Sequence, residues 1–134
     1  MKRDMDLVRD ILLYLEDKPS WSGVITNQFE GRKHDLVWHY HCMMLIDAGL
    51  VEGKVIPKST TGDSFTVRVN ALSWSGHELL ETIRNDTVWS KTKLRIKQTS
   101  GTMSIELIKS VANEFVSKRV TAASELSVLS GILA

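Results

Sequence analysis

A chain of 134 residues with 43% apolar and 25% charged residues has the makeup of an ordinary soluble domain, long enough to bury a core without staples. A single cysteine, Cys42, excludes an internal disulfide framework and suits a reducing cytosol. No apolar run approaches the roughly 18 residues needed to span a bilayer, and a net charge of +1 leaves any electrostatic case to local clusters.

The start, Met1-Lys-Arg-Asp-Met-Asp, is charged and runs straight into an amphipathic pattern, unlike a secretory leader. Met5, Val8, Ile11, Leu12 and Leu15 fall on one helical face between Asp4 and Asp17, with Asp4 and Asp6 favourable to the helix dipole. Pro19 stops this helix at Lys18. Ser20-Trp-Ser-Gly23 is a turn-rich connector, and the β-branched and aromatic run from Gly23 to Glu30 suits a short strand.

A basic turn, Gly31-Arg32-Lys33-His34, leads into the central helix, Asp35 to Ala48. Its apolar face is expected along Leu36, Tyr40, Met43 and Met44, and along Val37, Met44 and Leu45. Gly49 stands where a helix end needs a left-handed residue. Leu50–Pro57 and Ser64–Val69 then read as two strands joined by the polar loop Lys58–Asp63. In the second strand Phe65, Val67 and Val69 alternate with Thr66 and Arg68.

Ser73 is the expected N-cap of a long helix from Trp74 to about Ile96, with Leu79, Leu80, Ile83, Val88 and Leu94 along it. Thr99-Ser-Gly-Thr102 breaks it, and Ser104 caps a last helix in which Ile108, Val111, Ala112, Phe115 and Val116 share a face. The tail from Thr121 to Ala134 is apolar with small residues. Val128, Leu129, Ile132 and Leu133 there are expected to close over the core or to form a homodimer seam.

The order helix, short strand, central helix, β-hairpin wing, long helix is that of an α+β winged-helix-like domain. Residues 1–98 are assigned to it, and residues 99–134 to an extra C-terminal helix and tail. One departure stands out. A helix-turn-helix unit places a second short helix before the recognition helix, and the sequence offers only a strand and a basic turn there.

Three blocks carry a resemblance. They are the opening Met1-Lys-Arg-Asp-Met-Asp-Leu-Val-Arg-Asp-Ile-Leu, the stretch His41-Cys-Met-Met-Leu-Ile-Asp-Ala-Gly-Leu50, and Leu72-Ser-Trp-Ser-Gly-His-Glu-Leu-Leu-Glu-Thr-Ile-Arg-Asn-Asp-Thr-Val-Trp89. In this order they are similar to a family of uncharacterised small phage and prophage proteins, catalogued as a domain of unknown function. The resemblance implies a mobile-element setting in the cytoplasm of a bacterial host, and it offers no catalytic residues to carry over. For the shared His41, Gly76, His77 and Trp89, functional and structural roles both stay open.

Chemical constellations are sparse. His39 and His41 point about 200° apart on a helix and cannot chelate one ion together, and no pair stands four apart as in a metalloprotease helix. Rather than metal ligands with Cys42, the histidines His34, His39, His41 and His77 therefore read as polar-face or capping groups. His41 is expected to be buried and satisfied against the Gly76-His77 segment. No phosphate loop, nucleophile elbow or patterned carboxylate pair appears, and Cys42 lies in an apolar helical run, as a small buried hydrophobe would. No enzyme activity, metal or cofactor is expected.

Basic residues do cluster around the predicted helix–wing unit. Arg32, Lys33, His34 and His39 would meet DNA from the central helix, while Lys54, Lys58 and Arg68 would hold phosphates from the wing. Arg84, Lys91, Lys93, Arg95 and Lys97 form a second cluster against a single acid, Asp86. The expected function is a non-enzymatic DNA-binding or regulatory protein of phage type, with double-stranded DNA as partner. The alternative is a protein-interaction module that modulates a host protein or defence system, with any exposed member of Trp21, Trp38, Trp74 and Trp89 as an anchor.

Overall fold

A computed structural model describes residues 2–25, 36–57 and 65–133. Helices α1 (Met5–Asp17), α2 (Leu36–Asp47), α3 (Trp74–Ile83), α4 (Asp86–Thr99) and α5 (Ile105–Leu133) accompany strands β1 (Val24–Ile25), β2 (Val51–Pro57) and β3 (Phe65–Leu72). The architecture is mixed α+β, and the chain divides into two compact units, Met1–Leu80 and Glu81–Ala134. Packing therefore groups α4 with α5, where the sequence pattern groups it with the first 98 residues.

In the first unit, α1 starts where expected because Asp4 caps it. The Asp4 carboxylate accepts from the Asp6 and Leu7 amides at 2.9 and 3.3 Å, a cap worth about 1 kcal/mol. Its face of Met5, Val8, Ile11, Leu12 and Leu15 is buried, and each such side chain contributes about 1.5–3 kcal/mol of transfer free energy. The helix ends at Lys18, one residue before Pro19. It packs on α2 and on β3.

The central helix departs from expectation in its orientation. It buries Trp38, His41, Cys42 and Leu45, while Leu36 and Val37 are exposed and Tyr40, Met43 and Met44 only half-buried. Of the predicted face only Leu45 is in the core. The helix is apolar nearly all round, so its spacing cannot select a side, and packing against α1, β2 and β3 decides. Gly49 does end the helix at φ 74°, with its N–H on the Ile46 carbonyl at 3.0 Å.

The sheet is antiparallel with order β1-β3-β2. Val67 and Val69 face the core and Arg68 faces solvent, as alternation predicts. The register steps from Glu52 opposite Ala71 to Gly53 opposite Val69, which leaves Asn70 as the extra residue of a bulge. Beyond it the inward phase changes, and Leu72 is buried as well. The expected strand from Gly23 is realised at Val24–Ile25. Its remainder, Thr26–Glu30, lies outside the described residues, as do the basic turn Gly31–His34 and the hairpin loop Lys58–Asp63.

Ser73 caps α3 as expected: its Oγ accepts from the Gly76 amide at 3.1 Å and donates to the Gly49 carbonyl at 2.5 Å. A side chain at position 76 would run into the Leu50 carbonyl, so this helix turn sits against that backbone only because residue 76 is glycine.

The expected long helix from Trp74 to Ile96 is broken. Arg84 and Asn85 separate α3 from α4, and Asn85 caps α4 by accepting from the Val88 amide at 3.0 Å. Asparagine competes with the backbone for hydrogen bonds and favours caps over helix interiors. In the second unit α4 and α5 are joined through Ser100–Ser104, with Ser104 capping α5 at the Leu107 amide (3.2 Å). Ile108, Val111 and Ala112 of α5 are buried and Phe115 and Val116 half-buried, on the predicted face. Backbone helix runs on to Leu133, so the tail belongs to α5. The side chains of Val128, Leu129, Ile132 and Leu133 lie outside the described residues.

Candidate nucleic-acid interface

Of the residues nominated for DNA contact, Arg32, Lys33, His34 and Lys58 lie outside the described residues. His39 is half-buried on α2. Lys54 on β2 and Arg68 on β3 are exposed and stand directly opposite each other in the ladder. The stem of Arg68 lies across Gly23, which fixes the base of the side chain on the exposed sheet face. Neither cation has a carboxylate partner among the described residues. The acid beside them on β2, Glu52, accepts from Trp21 Nε1 at 3.2 Å.

Lys18 ties the connector after α1 to the sheet. Lys18 Nζ donates to the Ser22 carbonyl at 2.5 Å and to the Asn70 carbonyl at 2.6 Å. Asn70 Nδ2 in turn donates to the Trp21 carbonyl at 3.2 Å. The bulge frees the Asn70 carbonyl from the ladder and the lysine satisfies it, pinning the 18–23 connector to β3. Partial desolvation draws the Lys18 ammonium below its ordinary pKa. Nothing local in the sequence marks Lys18 or Asn70.

His41 is fully buried, but its partners are not Gly76 and His77. Its Nε2 accepts from the Asp4 amide at 2.8 Å, and its Nδ1 lies 2.7 Å from the Val37 carbonyl. An amide N–H only donates and a carbonyl only accepts, so the proton sits on Nδ1 and the ring bridges α2 to the first turn of α1. Both nitrogens are engaged. His77 is exposed, and Trp89 is in the core with Lys93 Nζ 5.5 Å from its ring centre. Cys42 is buried, and desolvation pushes its thiol up to about 12, so it stays neutral at physiological pH. Among the described residues no three of His, Cys, Asp and Glu come together as a metal site would require.

The second basic cluster splits over faces of α4. Arg84, ahead of the helix, pairs with Glu81 at 2.9 Å. Arg95 reaches Glu114 of α5 at 3.4 Å and lies 5.1 Å from the Phe115 ring. Lys91 and Lys97 are exposed.

The profile of the family described as "Hypothetical protein (DUF2513)" matches residues 2–103. The chain belongs to that family. A relative from Haemophilus influenzae, described as an uncharacterized protein, is 40% identical over 119 residues, covering 88% of this chain and 98% of its own. No solved structure matches. The DUF2513 match spans α1 through α4 with the hairpin and ends at Met103, before α5 begins. All seven nominated DNA-contact residues fall inside it. Among the described residues no helix is long and apolar enough to cross a membrane.

Proposed function

We propose that this DUF2513 protein is a non-enzymatic DNA-binding regulator built on a winged-helix-like unit, of the phage type that its sequence resembles. Arg32, Lys33, His34 and His39 approach duplex DNA from the start of α2, and Lys54, Lys58 and Arg68 hold phosphates from the hairpin. The observation that carries this reading is the Lys54–Arg68 pair. Like charges placed directly across a sheet destabilise it, and among the described residues neither cation is ion-paired, the neighbouring Glu52 accepting instead from Trp21 Nε1. A phosphate backbone would supply the missing anion. The test is a salt titration of binding to a labelled random-sequence duplex, comparing wild type with Lys54→Glu/Arg68→Glu. Affinity at about 50 mM salt should fall at least tenfold. Unchanged affinity sinks the hairpin assignment.

A second reading, a protein-interaction module acting on a host protein, is favoured by a different observation. Trp74 is 80% and Trp21 66% exposed, and Leu36 is 65% exposed on the solvent side of α2. Such side chains are typical interface anchors. A shallow apolar recess of about 330 Å³ lies between α2 and β2, bordered by Met43, Met44, Ile46, Asp47 and Val55. A partner retained from bacterial extract by wild type and lost with Trp21→Ala/Trp74→Ala supports this reading. Equal retention by both proteins counts against it.

A further inference from the structure

The second unit holds a basic groove that the family match does not fully contain. On α4, Thr87, Val88 and Lys91 fall on one face, and on α5, Phe115, Lys118 and Arg119 do the same. These six line one recess of about 340 Å³. Arg95 meets Glu114 further along the pair, so α4 and α5 run antiparallel and bring the start of one beside residues 115–119 of the other. Three cations from two helices therefore converge on one hollow.

The charges in this hollow are unbalanced. Among the described residues no acid lines it, and Lys91, Lys118 and Arg119 have no carboxylate partner. Glu114, the nearest acid along α5, is taken by Arg95. Lys118 Nζ stands 5.7 Å from the centre of the half-buried Phe115 ring, which gives the cationic rim an aromatic floor. A larger recess alongside, about 690 Å³, shares Val88 and Arg119 but includes Glu81 and Asp86 and is mixed in charge. The asymmetry extends to the whole unit. Residues 81–134 carry eight Lys and Arg against five Asp and Glu, net +3, whereas residues 1–80 carry nine against eleven, net −2.

We propose that the α4–α5 groove is a phosphate-backbone contact surface for nucleic acid, with Lys91, Lys118 and Arg119 as the contacting groups. A cluster of cations with no acid among them matches a regular polyanion, because each phosphate contact releases condensed counterions and strengthens binding. An acidic protein surface mixes its charges and needs matching donors. This surface belongs to the second unit and the hairpin to the first, and its outcome is read independently of the hairpin variant.

The experiment uses the full chain and fluorescence anisotropy with a labelled random-sequence duplex, from about 50 to 200 mM salt. Wild type is compared with Lys91→Ala/Lys118→Ala/Arg119→Ala and with Lys54→Glu/Arg68→Glu. All three groove side chains are exposed, so folding should be unaffected, which circular dichroism checks. The groove variant should bind at least tenfold more weakly at the lowest salt. Its plot of log affinity against log salt should be shallower by about 2–3, near 0.9 for each phosphate no longer neutralised. The variant Lys91→Arg/Lys118→Arg/Arg119→Lys should restore both. A groove variant with wild-type affinity and slope overturns the proposal, as does a wild type that binds no duplex. Polyglutamate displacing the duplex at equal charge concentration overturns the nucleic-acid assignment. A weakening confined to the groove variant sustains this proposal and removes the hairpin one.

Discussion

The two compact units hold themselves together by different means. In residues 1–80, polar side chains tie together elements far apart in the chain. His41 bridges α2 to the start of α1, Lys18 joins the connector to the β3 bulge, and Ser73 joins α3 to the turn at Gly49. In residues 81–134, the described polar ties include short-range caps at Asn85 and Ser104 and a helix-to-helix pair, Arg95 with Glu114. Charge divides along the same line, net −2 in the first unit and +3 in the second. The hairpin cations thus sit within an acidic half, as a local pair. The half with a surplus of positive charge is the helical one.

If the first unit depends on long-range polar bridges, His41→Ala should be the most damaging substitution. It removes a fully buried ring and leaves the Asp4 amide without its acceptor, at a cost of about 3 kcal/mol. Urea unfolding measures the total, and amide exchange locates it: α1 amides should exchange faster while those of α4 and α5 keep their protection. A uniform rise in exchange over the whole chain would erase the contrast between the units.

Gly76→Ala comes next. In an ordinary helix interior this change gains up to about 1 kcal/mol. Here the new methyl meets the Leu50 carbonyl, so a loss of about 2 kcal/mol is expected by thermal or urea melting. The sign decides the matter, and a stabilised variant would show that α3 does not depend on that close approach.

The smallest effect belongs to the second unit. Asn85→Ala removes one local cap and should cost about 1 kcal/mol. Exchange should rise in the first turn of α4, with α1 and the sheet unchanged. Equal protection of the Val88 amide in both proteins would show that the cap is idle.

Much of the candidate interface was legible only in part. Alternation placed Arg68 on the outer face of β3, yet its position opposite Lys54 follows from the register, and a polar loop alone does not specify register. Lys91 was visible in a basic stretch. Its convergence with Lys118 and Arg119 depends on the turn after Thr99 folding α5 back along α4. Lys18 and Asn70 carried no local signal because their roles arise from a bulge.

By itself the sequence determined those features that local chemistry decides. These are the Asp4 start and Pro19 stop of α1 and its buried face, the left-handed turn at Gly49, the hairpin strands, and the caps at Ser73 and Ser104. Tertiary structure decided which side of α2 is buried, since a helix apolar on nearly every side offers its neighbours a choice that spacing cannot make. It also decided that His41 answers the Asp4 amide and that the chain breaks at Asn85, where a cap outcompetes a continuing apolar pattern. Local signals act through dihedral preferences and nearest hydrogen bonds. The rest depends on which surfaces meet, and that is settled only when distant segments pack.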